Sequence, residues 1–74
     1  MSYQLEWVKM DGEYVLHKFT TNPVTRIKAA VIKGYSPHGW WGGIYEPNGV
    51  IGKQETFKTF KEARAWCVIQ IRFN

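Results

Sequence analysis

The chain has 74 residues, 45% of them hydrophobic and 16% aromatic, with a single cysteine and a formal net charge of +4. That length makes one domain spanning residues 1–74, the apolar content excludes a disordered tail, and a lone thiol excludes an internal disulfide. No run approaches the ~20 apolar residues of a membrane span, and the opening residues carry Glu6 without the apolar stretch of a signal peptide.

A small domain without disulfides fits a reducing compartment, so a cytoplasmic protein with no membrane contact is expected. The charge is uneven along the chain. Glu6, Asp11 and Glu13 offset Lys9 and Lys18 in the first third. Arg26, Lys28, Lys33, Lys53, Lys58, Lys61, Arg64 and Arg72 outweigh Glu46, Glu55 and Glu62 in the rest. A basic C-terminal two-thirds suits an acidic or polyanionic partner, and it also serves as ordinary solubility charge.

In chain order, residues 3–9 alternate, with Tyr3, Leu5 and Trp7 against Gln4 and Glu6, which predicts a strand. Asp11-Gly12 predicts a tight hairpin into a second strand over residues 13–19. Asn22-Pro23 marks a turn, and residues 26–35 read as a third strand. Ser36-Pro37-His38-Gly39 breaks the pattern before a fourth strand over residues 40–46. Glu46-Pro47-Asn48-Gly49 is a turn sequence, because Pro47 presets φ and Asn48 or Gly49 tolerates the left-handed region. Residues 50–58 form a fifth strand.

Thr59, three residues before Glu62, predicts a capping box and the start of a helix. Ala63, Trp66, Cys67 and Ile71 then share one face at helical spacing. The helix is expected to end near residue 71, with a short final strand from the alternation of Ile69, Ile71 and Phe73 as the competing reading. The fold class is therefore α+β: an antiparallel sheet of about five strands, a hairpin plus a three-stranded meander, with one C-terminal helix on one face.

Catalytic chemistry is thinly represented. Cys67 with His17 or His38 is the one formal nucleophile–base set, yet Cys67 falls on the buried helix face, where cysteine acts as a small hydrophobe. One cysteine and two scattered histidines give no zinc spacing, and no glycine-rich phosphate loop precedes a helix. No enzyme, metal or cofactor is expected.

The segment Gly39-Trp40-Trp41-Gly42-Gly43-Ile44-Tyr45 is the most unusual. Adjacent tryptophans on a strand point to opposite faces. If Trp40 and Ile44 face the helix, Trp41 and Tyr45 stand on the other face over the cleared position Gly43. There they can anchor a protein interface or stack bases. Alternatively the N-terminal hairpin, with Trp7 and Tyr14, wraps over that face and buries it. Lys53, Lys58, Lys61 and Arg64 are expected to gather into one basic patch, with Lys28 and Lys33 as a second.

Strands three to five and the phrase Phe57, Thr59, Glu62, Ala63, Trp66 resemble the sheet-plus-helix layout of tyrosine-recombinase arm-binding domains and of plant ethylene-response-factor DNA-binding domains. That resemblance implies DNA contact through the outer sheet face, by Trp41, Tyr45, Lys53 and Lys28. Few arginines on the outer strands, and an N-terminal hairpin without a counterpart, depart from both families. The short, aromatic-rich chain is also similar in style to small bacteriophage accessory proteins, among them counter-defence inhibitors such as anti-CRISPR proteins. The leading expectation is a non-catalytic binder of a host protein or nucleoprotein complex, using Trp41, Tyr45, Lys53, Lys58, Lys61, Arg64 and Lys28. Direct nucleic-acid binding is the alternative, and homodimerisation through an exposed sheet edge is a further reading.

Overall fold

The computed structural model describes residues 3–21, 23–35 and 39–73. Five strands, β1 (Gln4–Met10), β2 (Glu13–Thr21), β3 (Val24–Tyr35), β4 (Gly39–Tyr45) and β5 (Ile51–Phe57), precede one helix, α1 (Phe60–Arg72). The strands form one antiparallel sheet in sequence order. This is the α+β sheet with a C-terminal helix that the alternation and the capping box imply.

Local chemistry explains the boundaries. Asp11 and Gly12 both take positive φ, 50° and 79°, the geometry whose twist matches a two-residue hairpin. The β4–β5 turn closes through Gly49 N donating to Glu46 O at 2.9 Å, and Asn48 Oδ1 accepts from Val50 N at 3.1 Å. Thr59 Oγ1 accepts from Glu62 N, and Glu62 Oε1 accepts from Thr59 N, both at 3.2 Å, so the capping box forms in full. The β-branched run from Val68 stays helical to Arg72, and no final strand forms there. Asn22, Ser36, Pro37 and His38, on which two expected turns rest, lie outside the described residues. β2 and β3 run on to Thr21 and Val24, further than expected, because the Thr-rich stretch still pairs.

The core lies between α1 and one sheet face. Leu16, Ala30, Ile32, Ala63 and Cys67 are fully buried there. Small side chains set the spacing: a Cβ on Gly42 would sit 3.5 Å from Cys67 Sγ and 3.6 Å from the Trp66 ring. Aromatic rings close the N-terminal end of the helix, with Phe60 centroids 4.8 Å from Tyr14 and 5.1 Å from Trp40. Phe57 meets Trp66 at 5.4 Å on the other flank. Such tilted and edge-on pairs add ~0.5–1.5 kcal/mol each beyond area burial.

The N-terminal hairpin does not wrap over the outer face. β1 and β2 extend the sheet edgewise, and Trp7 and Tyr14 pack toward the helix side with the core. The face opposite α1 thus has no second layer among the described residues.

Candidate interaction face

Register decides what the open face presents. One row crosses all five strands: Val8, Val15, Val31, Gly43 and Gln54. The next row reads Met10, Glu13, Lys33, Trp41 and Thr56. Val15 and Val31 are buried although α1 packs on the opposite face. Trp41 is the largest side chain of the two rows. Its indole lies over Gly43, where a Cβ would stand 2.9 Å from Cη2 and 3.2 Å from Cζ2. Trp41 Nε1 donates to Gln54 Oε1 at 3.2 Å, which fixes the ring's azimuth. Of the two placements that alternation leaves open, the chain adopts this one: Trp40 and Ile44 join the core, and Trp41 and Tyr45 share the opposite face.

Charge on this face is mostly spent in pairs. Lys33 Nζ lies 2.9 Å from Glu13 Oε2 and 5.7 Å from the Trp41 ring centroid. The hydrogen bond and charge of Glu13 hold the Lys33 ammonium above its ordinary pKa. Arg26 Nη1 donates to Glu6 Oε1 at 2.8 Å, and its guanidinium stands 5.2 Å from the Phe19 ring. Lys28 is the cation of this face with no ion pair among the described residues.

The basic residues do not form the single patch that their sequence order suggests. Lys53 lies on the helix side of β5, where Nζ donates to Gln70 Oε1 at 3.1 Å. Lys58 is exposed between β5 and α1, and Lys61 and Arg64 are exposed on α1. Of the four residues expected on the outer face, Trp41, Tyr45 and Lys28 lie there and Lys53 does not. Lys28 and Lys33 are an odd number apart and would face opposite ways on a regular strand. A bulge lets them share a face: Leu16 pairs with Ala30 but His17 pairs with Lys28, so Ala29 is the extra residue.

His17 sits in this bulge, 8% exposed, and its Nδ1 has no hydrogen-bond partner. Burial lowers its pKa from 6.5, and the charges of Arg26 and Lys28 lower it further against Glu6. The unfolded chain therefore takes up a proton before the folded one as pH falls through 6.5. The expected contribution of His17 is level above pH 7 and is lost as pH falls from 7 towards 5. In His17→Phe that part of the decline should vanish, as read from urea midpoints across that range. An identical pH slope in both proteins would assign the loss to other groups.

Burial raises the Cys67 thiol to about 12, so at neutral pH it is a packing group with a negligible thiolate fraction. His38 lies outside the described residues. Among the described residues no group of three or more His, Cys, Asp or Glu could hold a metal, and no helix is long and apolar enough to cross a membrane. A shallow depression of about 430 Å³ is lined by Trp41, Gln54, Glu55 and Thr56.

Comparison with protein-family models, curated proteins and solved structures returns no match. Gln54 and His17 join the candidate face on structural grounds; alternation from Phe57 also points Gln54 there, whereas the pairing of His17 with Lys28 depends on the Ala29 bulge.

Proposed function

We propose that this protein is a non-catalytic binding protein that docks on a protein or nucleoprotein surface through the open face of its sheet and acts by covering it. The observation that carries this reading is Trp41, held over Gly43 by Gln54 beside the buried Val15 and Val31. Protein interfaces combine an aromatic or apolar centre with a polar rim, and tryptophan is among their commonest energetic anchors. A ring already fixed in place loses little entropy on binding. The ion pairs Arg26–Glu6 and Lys33–Glu13 supply the rim. A stoichiometric blocking role, of the kind found in the phage accessory proteins that the chain resembles in style, requires only such a surface.

Magnitude argues against phosphate attraction on this face. Affinity for duplex DNA falls with a log–log salt slope of about −0.9 per phosphate neutralised. With Lys28 as the unpaired cation, a fourfold rise in salt would weaken binding only about threefold. Direct nucleic-acid binding remains the second reading because Lys58, Lys61 and Arg64 are all exposed on the helix flank.

Affinity capture from lysate of the source cells or their host, with wild type, Trp41→Asp and a Lys61→Glu/Arg64→Glu variant, separates the two. The expected outcome is a stoichiometric partner kept by the helix-flank variant and reduced at least tenfold by Trp41→Asp, with circular dichroism confirming that each variant folds. A partner kept equally by Trp41→Asp would remove the open-face reading. Tight DNA binding that falls steeply with salt and is lost in the helix-flank variant would install the second.

A further inference from the structure

β3 pairs with β2 over Val24–Lys33 but with β4 only over Ala30–Tyr35. The two ladders part at the Ala29 bulge, which increases local twist and bends the strand. Residues 24–28 are left with a strand on one side and none on the other among the described residues. Backbone groups of an antiparallel strand alternate in direction, so half of those on this stretch point away from β2.

A cleft of about 650 Å³ lies beside that edge. Ile27, Ile44 and Ile71 line it, and Ile27 is 58% exposed at its mouth. Lys18 and Lys28 also line it, and Lys28 makes no ion pair among the described residues. The cleft's carboxylate, Glu46, is turned over Gly52, where its side chain occupies the space a Cβ would need.

We propose that this cleft binds an extended peptide segment of alternating apolar and acidic residues, added as a further strand on the β3 edge. Each feature specifies one property of the occupant. The unpaired backbone edge calls for an extended chain, as in other cases of strand addition. Five residues, about 17 Å, match residues 24–28. The isoleucine floor takes every second side chain, and Lys28, which faces the other way, pairs with a carboxylate between them. A second copy joined edge to edge about a two-fold axis would bring Arg26 and Lys28 of both copies together, and that like-charge contact disfavours it. This inference goes beyond the open-face docking, which it meets only at Lys28 and Tyr45.

The test is an NMR titration of isotope-labelled protein with a capped five-residue peptide of alternating valine and glutamate, up to about 1 mM. Saturable shifts are expected in the amides of residues 24–28. Binding should weaken at least fivefold in Lys28→Glu, and equally for a lysine-for-glutamate peptide with the unaltered protein. A peptide N-methylated at alternate positions should not bind, and this control leaves the fold untouched. Trp41→Ala should bind the peptide as wild type does, so failure here and failure of open-face docking are told apart. No saturable shift, equal binding of the lysine peptide, or shifts centred on α1 would overturn the proposal.

Discussion

Gly39→Ala is expected to destabilise this domain by about 3 kcal/mol or more. Gly39 opens β4 at φ +115°, a region costly for any side chain. An added Cβ would also collide with the carbonyl oxygen of Phe57 and stand 3.2 Å from Lys58 Cα. Those atoms are backbone at the end of β5 and just past it, so no rotamer change relieves the contact. Gly12 separates the two effects. Its φ is +79° but no atom lies within 4 Å of an added Cβ, so Gly12→Ala incurs the conformational cost alone, about 1 kcal/mol. A 74-residue domain has a total stability of only ~4–11 kcal/mol. The expected drops in Tm are therefore about 12 °C or more for Gly39→Ala and about 4–8 °C for Gly12→Ala. Thermal unfolding followed by circular dichroism reads both. Equal drops would show that the β5 backbone yields to the methyl group and that the collision contributes nothing.

The contrast between these glycines also marks what the sequence discloses. Asp11-Gly12 is legible because its conformational demand is local, and so is the capping box of Thr59 and Glu62. The two-layer architecture follows from alternation in the strands and 3.6-residue spacing from Phe60 onward. Gly39 looks like a turn glycine, and only the approach of β5 shows why a side chain is excluded there. Lys53 could have been separated from Trp41 in advance. Once Phe57 is assigned to the core, period two puts Glu55 and Lys53 on the helix side, as the Lys53–Gln70 hydrogen bond has it. The Ala29 bulge was illegible, since alanine carries no bulge signal, so the expected second patch of Lys28 and Lys33 forms for a reason that alternation does not supply, and the burial of His17 is not foreseen. Whether the N-terminal hairpin extends the sheet or folds over it turns on which layer Trp7 and Tyr14 join, and alternation within the hairpin fits either arrangement. The helix end, with Phe60 meeting Tyr14, decides it in favour of the core side.

Gly43→Val is expected to remove the docking surface while leaving the fold standing. The wild-type position already lies 2.9 Å from Trp41 Cη2 and 3.0 Å from Ile51 Cγ2 when a single Cβ is added. Valine's two further carbons cannot share that space with the indole, so the ring must swing off Gly43 and release Gln54. The lost side-chain hydrogen bond is worth about 1 kcal/mol, and removing a strand-interior glycine returns roughly 0.5–1 kcal/mol. Net stability should therefore change little. Binding should change a great deal, because a central tryptophan anchor contributes 2 kcal/mol or more, about thirtyfold in affinity. Three measurements on one variant resolve the matter: the urea midpoint, the indole N–H resonance of Trp41, and capture of the partner retained by wild type. A stable variant with a displaced indole and lost capture links Gly43, Trp41 and docking in one chain of cause. An unmoved indole resonance would mean that Ile51 yields in place of the ring. A displaced indole with full capture would mean that the partner sits elsewhere, and the helix flank of Lys58, Lys61 and Arg64 would become the surface to test.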